Sequence, residues 1–223
     1  MTEGLLLVNK EKGVSSFFLV KLLRKISNVK KIGHAGTLDP LATGLMLLLI
    51  GKNYTRKADA FINFDKEYLA TIKLGEKTDT YDQEGKVLQT SVKVPTLEEI
   101  LEKLKLFQGK INQIPPAFSA KKHQGKKLYE LARKGIMLEL KPSLVELNTT
   151  LLSYEYPFLT LKVACSKGTY IRSLAHDLGE ALGSLAHLYE LERTRVGPYL
   201  IQDALSQKNL SDDNDWKKHL RKL

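Results

Sequence analysis

The chain has 223 residues, 43% hydrophobic and 27% charged, a composition that fits one large folded domain or a domain with a small appendage. Its formal charge of +10 favours a polyanionic partner such as nucleic acid, although a lysine-rich surface by itself gives the same balance. A single cysteine, Cys165, excludes an internal disulfide and a cysteine-based zinc site, and no apolar run reads as a membrane span or signal peptide, so a cytoplasmic protein is expected.

In chain order, Leu5 to Asn9 predicts a short strand, and Ser16 to Ile26 carries apolar residues at helical spacing. Leu45 to Ile50, closed by Gly51, reads as a buried strand, and Asp65 to Leu74 alternates as a strand should. Glu84-Gly85 marks a turn before Lys86 to Val94. Thr96 and Glu99 form a candidate capping box ahead of Leu97, Ile100, Leu101, Leu104 and Phe107, with Gly109 as the expected stop. A further helix is predicted over Lys126 to Lys134, a strand over Leu159 to Cys165, a helix over Thr169 to Leu182 with Thr169 as N-cap, and a strand through Leu188 to Val196. Strands and helices mix without βαβ alternation, which points to an α+β fold with a mainly antiparallel sheet. The last residues turn acidic at Ser211 to Asp215, then basic from Trp216 onward.

Residues 33–45 read GHAGTLDPLATGL and contain one carboxylate, Asp39. An Asp-Pro step is a common helix start, so the plain reading is a capped turn. The flanking Gly33, Gly36 and Gly44 instead suit close backbone approach or unusual dihedrals. The segment lacks the lysine of a phosphate-binding loop and the second acid of a glycosidase, but one ionised carboxylate suffices for a nucleophile or base. A cation to hold it is available in CSKGTYIRSL at 165–174, where Arg172 falls in the first turn of a helix and opposes its dipole.

GHAGTLDPLATGL closely resembles the catalytic motif of the TruB-type tRNA pseudouridine synthases. In the same order follow DKEY at 65–68, LGEKTDT at 74–80, IPPAFSA at 114–120, GKKLYELAR at 125–133, CSKGTYIRSL and LERTRVG at 191–197, so the resemblance covers nearly all of residues 4–205. It implies the pseudouridine synthase fold and the isomerisation of uridine 55 to pseudouridine in the T loop of tRNA. The base is flipped out, its glycosidic bond is broken, and C5 is rejoined to the sugar. No metal or organic cofactor is implied. Asp39 matches the catalytic aspartate, as nucleophile or as base toward a sugar proton; the sequence does not choose between these routes. Tyr68 matches the stacking tyrosine and Arg172 the arginine paired with the aspartate. Tyr170 and Leu191 match residues lining the uracil pocket, and His34 a residue that touches RNA. Lys10, in the opening motif, is expected to bind the RNA substrate, as are Lys121 and Lys126 in the basic segment KKHQGKK, which resembles an RNA-clamping loop.

The resemblance divides the chain into a catalytic domain at 1–205, with the clamping insertion near 111–142, and a short tail at 206–223 in place of the additional RNA-binding domain of many relatives. The expected partner is the T stem-loop of tRNA, with no membrane, no obligate protein partner and a monomeric state. Three positions depart from the pattern. Glu11 stands where a proline follows the lysine, Phe118 where tyrosine is frequent, and Glu192 where a second arginine is common. Two other functions remain open from sequence: a tRNA-binding folding chaperone, and the same chemistry on another RNA.

Overall fold

The computed structural model describes residues 2–119, 121–123, 125–132, 134–136, 138, 140–210 and 215–222. They form an α+β architecture in two compact units, one built from residues 1–69 and 191–223, the other from 70–190.

The first unit begins with β1 (Gly4–Lys10) and α1 (Ser16–Ser27). Ser15 caps α1 by accepting the amide of Phe18, and Asn28 closes it in the left-handed region that asparagine tolerates. Leu19, Val20 and Leu23 give α1 its buried face. A short strand absent from the sequence reading, β2 (Ile32–Ala35), leads into β3 (Thr43–Ile50). The strand β3 is the centre of the unit. It pairs antiparallel with β1 along its length, from Gly4↔Ile50 to Lys10↔Gly44, and antiparallel with β2 from Ile32↔Ile50 to Ala35↔Leu47. Leu45 to Ile50 are fully buried, as the unbroken apolar run predicts, and each such side chain contributes about 1.5–3 kcal/mol of transfer free energy. Two short helices follow, α2 (Lys52–Thr55) and α3 (Ala58–Ile62). The chain crosses to the second unit inside β4 (Lys66–Leu74), whose strict alternation of buried and half-buried residues bears out its strand pattern.

In the second unit, β5 (Glu76–Thr78) pairs antiparallel with β6 (Val87–Thr90). The capping box of Thr96 and Glu99 is present and starts α4 (Leu97–Leu104), which tightens into a 3₁₀ turn at Lys105–Phe107. Gly109 is not the helix stop; at φ +71° it opens β7 (Gly109–Gln113). The basic segment forms a small hairpin, β8 (Lys122–His123) against β9 (Lys126–Lys127), followed by α5 (Leu128–Ala132). The predicted helix there starts two residues late because Lys126 and Lys127 are drawn into the hairpin ladder. The longest strand, β10 (Ser143–Glu155), pairs antiparallel with both β7 and β11 (Phe158–Cys165). Then α6 (Ile171–Leu182) has Tyr170 rather than Thr169 as its N-cap residue, and the Thr169 hydroxyl turns back to donate to the Ser166 carbonyl.

The chain returns to the first unit inside β12 (Ala186–Val196), which runs parallel to β3 at Glu192↔Thr43 and Arg193↔Gly44. A short strand, β13 (Tyr199–Leu200), folds back on β12, and β14 (Leu205–Ser206) pairs parallel with β1. A 3₁₀ turn at Asp215–His219 buries Trp216 completely, and Arg221 bridges to Leu5.

Candidate active site

In the first unit, Asp39 lies in the connection between β2 and β3. It opens a β-turn, Asp39 to Ala42, in which the amide of Ala42 donates to the Asp39 carbonyl at 3.1 Å. Asp at the first position and Pro at the second suit such a turn, so the Asp-Pro step makes a turn and not a helix cap. The Asp39 side chain is half-buried.

Three buried side chains fix this connection. Ser16, 2% exposed at the start of α1, accepts the amide of Leu38 at 2.8 Å and donates to the Leu38 carbonyl at 2.9 Å. Lys10, fully buried at the end of β1, donates to the carbonyls of Glu11, Val14 and Pro40. The Pro40 carbonyl also accepts the amide of Gly13 at 2.8 Å. Arg193, 1% exposed on β12, donates through Nε to the Leu45 carbonyl at 2.7 Å and through Nη2 to the Gly36 carbonyl at 3.2 Å.

Arg193 also explains two of the three glycines. Gly44 sits at φ +104° with the Arg193 backbone so near that a Cβ would lie 2.4 Å from its carbonyl oxygen. Gly36, at φ +89°, faces the Arg193 guanidinium. Both positions need a residue free to adopt positive φ. Gly33 is an ordinary strand residue of β2.

The other first-unit residues are arranged around the same strands. His34 on β2 is half-buried, and its Nδ1 is enclosed without a hydrogen-bond partner. Burial, and then the positive Arg193, push its pKa below the ordinary histidine value, so it is neutral at pH 7. Tyr68 is a buried position of β4. Leu191 is buried on β12, and its carbonyl accepts the Thr43 hydroxyl at 3.4 Å.

The departure at position 11 has a local counterpart. The Glu11 amide donates to Gln207 Oε1 at 3.1 Å, a bond that a proline in its place lacks.

In the second unit, Arg172 is 5% exposed in the first turn of α6. It donates to the carbonyls of Thr80 at 3.1 Å and Phe118 at 2.8 Å, and its Nη1 lies 3.5 Å from Asp82 Oδ2. The contact with position 118 uses a main-chain carbonyl and so does not depend on whether the side chain there is phenylalanine or tyrosine. Asp82 is itself buried; its Oδ1 accepts the Thr80 hydroxyl at 2.6 Å and the Glu84 amide at 3.1 Å. Tyr170 is held by Gln113, whose amide group donates to the Tyr170 carbonyl at 3.0 Å and accepts its amide at 2.8 Å. Ser173 donates to the Ile114 carbonyl at 2.7 Å, so the segment from Gln113 to Phe118 is tied to the start of α6 at three places. Lys121 is exposed and donates to Ser143 Oγ at 2.9 Å. The backbone of Lys126 belongs to β9, but its side chain lies outside the described part of the structure.

The first unit therefore gathers Lys10, His34, Asp39, Tyr68 and Leu191, and the second carries Tyr170, Arg172 and Lys121. Sequence reasoning missed Ser16, Asp82 and Arg193 as site-building residues. Only Asp82 carried a readable signal. Asp82-Gln83-Glu84-Gly85 is a turn sequence, and the Gly85 amide closes it on the Asp82 carbonyl at 3.2 Å. Among the described residues no cluster of histidine, cysteine or acidic side chains is arranged to hold a metal ion. No described helix is long and apolar enough to cross a membrane.

Residues 24–171 match the family model described as TruB family pseudouridylate synthase (N terminal domain), and residues 172–223 that of the tRNA pseudouridylate synthase B C-terminal domain. The chain is 59% identical over 204 residues to a tRNA pseudouridine synthase B of Protochlamydia amoebophila, covering 92% of this chain and 78% of the relative. It is 52% identical over 216 residues to the protein of that name from Chlamydia pneumoniae, covering 97% of this chain and 92% of the relative. Among solved structures, a chain in the crystal structure of a Cbf5-Nop10-Gar1 complex superposes with a TM-score of 0.77 at 28% identity. The match takes in 99% of this chain and 60% of that longer one.

Proposed function

This chain belongs to the TruB family of pseudouridylate synthases, and we propose from that premise that it isomerises uridine 55 to pseudouridine in the T loop of tRNA. The reaction moves a base within one molecule, so the enzyme is an isomerase. Residues 1–205 serve as its catalytic part and 111–142 as an RNA-clamping insertion, and the enzyme acts as a monomer on the T stem-loop.

The observation that carries the reading is the local architecture around Asp39. A lone half-buried carboxylate sits in the β2–β3 connection, whose backbone is held by Arg193 at Gly36, by Ser16 at Leu38 and by Lys10 at Pro40. A capping aspartate needs no such support, whereas a group that must meet one reacting atom does. Asp39 acts on the flipped nucleotide, as nucleophile at the sugar or as base toward a sugar proton. Tyr68 offers a ring on which the uracil stacks and Leu191 an apolar side chain for it, and Tyr170 of the second unit is assigned to the uracil by the family motif it matches. Arg172 is the cation that the second unit presents, held in place by Asp82 and two carbonyls. The neutral His34 meets RNA through ring contact and hydrogen bonding, not charge. Lys10 contributes by positioning the turn of Asp39, since its ammonium donates to the Pro40 carbonyl within that turn. Lys121 and Lys126 supply phosphate contacts, which give affinity without base identity.

The test is pseudouridine formation in a transcribed tRNA by the purified protein and its Asp39→Asn variant, with the product mapped to its nucleotide. Product at uridine 55 from the unaltered protein alone supports the reading. Binding without product points to a tRNA-folding role. Failure on an isolated T-arm hairpin, with turnover of another RNA, points to a different substrate.

A further inference from the structure

We propose that the exposed face of α1 is a second RNA contact of the first unit, with a base stacked on Phe17 and adjoining phosphates on Lys21 and Lys25. The inference rests on tRNA being the substrate and extends that reading to a surface outside the reacting residues.

These aromatics lie outside the buried stripe of α1. The buried stripe of α1 is Ser16, Leu19, Val20 and Leu23. Phe17 and Phe18 point away from it and remain 49% and 43% exposed. Two neighbouring phenylalanines in water, on the first turn of an amphipathic helix, form an apolar patch that marks a binding surface.

Charge selects the kind of partner. From Lys12 to Leu38 the chain holds six lysines and arginines and no acidic residue. Lys21 Nζ lies 5.4 Å from the centre of the Phe17 ring, and the Arg24 guanidinium carbon 5.7 Å from it. Lys21 and Lys25 stand one turn apart on the same helix row, about 6 Å along its axis. An aromatic ring edged by cations, in a stretch of chain that holds no acidic residue, matches a nucleotide: the ring takes the base and the ammonium groups take the phosphates. A second copy of the chain fits poorly, because a two-fold contact sets this cationic patch against itself.

Position ties the surface to the reaction. Ser16, adjacent to Phe17, is the residue that grips Leu38, and Leu38 precedes Asp39. A strand of RNA anchored on α1 is therefore fixed relative to the turn that carries the carboxylate.

The experiment measures binding of a tRNA transcript over a salt series, together with turnover and oligomeric state, for the unaltered protein, Phe17→Leu, Phe17→Tyr and the double variant Lys21→Gln, Lys25→Gln. Leucine keeps the apolar volume and loses the flat ring, so Phe17→Leu is expected to weaken binding about tenfold while Phe17→Tyr holds it. The double variant is expected to reduce the slope of log affinity against log salt by about 1.4–1.8. All of these side chains are exposed, so melting temperatures should match and separate folding from binding. Unchanged affinity and slope, in a protein that converts uridine 55, overturn the α1 contact and leave the enzymatic reading standing. A loss of self-association with unchanged tRNA affinity also overturns it, in favour of an interface between copies. A protein that neither binds nor converts tRNA removes the reading on which the contact rests.

Discussion

The hydroxyl of Ser16 satisfies both backbone groups of Leu38, accepting its amide at 2.8 Å and donating to its carbonyl at 2.9 Å. One buried oxygen thereby fastens the first turn of α1 to the residue before Asp39. Ser16→Ala strands two enclosed polar groups and should cost about 1–3 kcal/mol of stability. Thermal melting checks that figure. Steady-state kinetics should show kcat falling more than KM rises, because the aim of the carboxylate suffers before tRNA contacts do.

Asp39→Asn keeps the shape of the turn and removes the ionisable oxygen. Turnover is expected to fall about 10³-fold or more, with tRNA affinity within a few fold of the unaltered protein. Rate assays and filter binding on the same preparation decide it, and ordinary turnover in the variant would remove Asp39 from the reaction.

Asp82 and Arg172 are both nearly buried at 3.5 Å. Removing one partner of such a pair leaves the other charge enclosed, so Asp82→Ala is expected to destabilise the protein by about 3–5 kcal/mol. Asp82→Asn still accepts from Thr80 and should be milder in denaturant titrations. Both variants should lose activity at 25 °C while folded, since Arg172 is no longer held in one orientation.

Asp177 on α6 has its carboxyl pushed up to about 6 by burial, and then by the neighbouring Glu180. The folded state thus holds a proton that the unfolded chain, titrating near 3.8, releases earlier. The stabilisation is complete below pH 3.8 and is lost as pH rises through about 6. Asp177→Asn should therefore be more stable than the unaltered protein at pH 7, by about 1–2 kcal/mol once water around the half-buried group is allowed for. The gap in melting temperature should close below pH 4, and a constant gap from pH 4 to 7.5 would contradict the assignment.

Trp216 is wholly buried, with its Nε1 enclosed and unpartnered. Trp216→Ala is expected to cost about 3–5 kcal/mol, and Trp216→Phe much less, because phenylalanine fills most of the space without an orphaned N–H. Equilibrium unfolding monitors both. A negligible cost for Trp216→Ala would mean that this stretch packs independently of the rest.

The sequence made much of the fold readable wherever one face of an element meets the core. The apolar run of β3, the alternation of β4 and the capping box of α4 all carried through. It hid β2, whose four residues IGHA show no period, and the 13-residue β10, whose Asn148 to Thr150 and Ser153 dilute the pattern. Asp39 stood out because it is a single acid among glycines. Arg193 did not, because a strand arginine ordinarily faces solvent, and only the fold shows its guanidinium turned onto the Gly36 and Leu45 carbonyls. The serine at position 16 reads as a helix-start residue and nothing more, since its grip on Leu38 spans 22 positions.

The pairing of β1 sets a timetable for synthesis. One edge of β1 is covered early by β3, but the other waits for β14 and for Arg221, which exchanges hydrogen bonds with Leu5 at 3.0 and 2.9 Å. Those partners lie up to 216 positions downstream, which at ribosomal speed is about 10–40 s of translation. The unit at residues 70–190 is contiguous and emerges whole in the meantime. The nascent chain therefore carries an open strand edge, a template for pairing with other emerging chains, until residues 205–221 emerge to cover it.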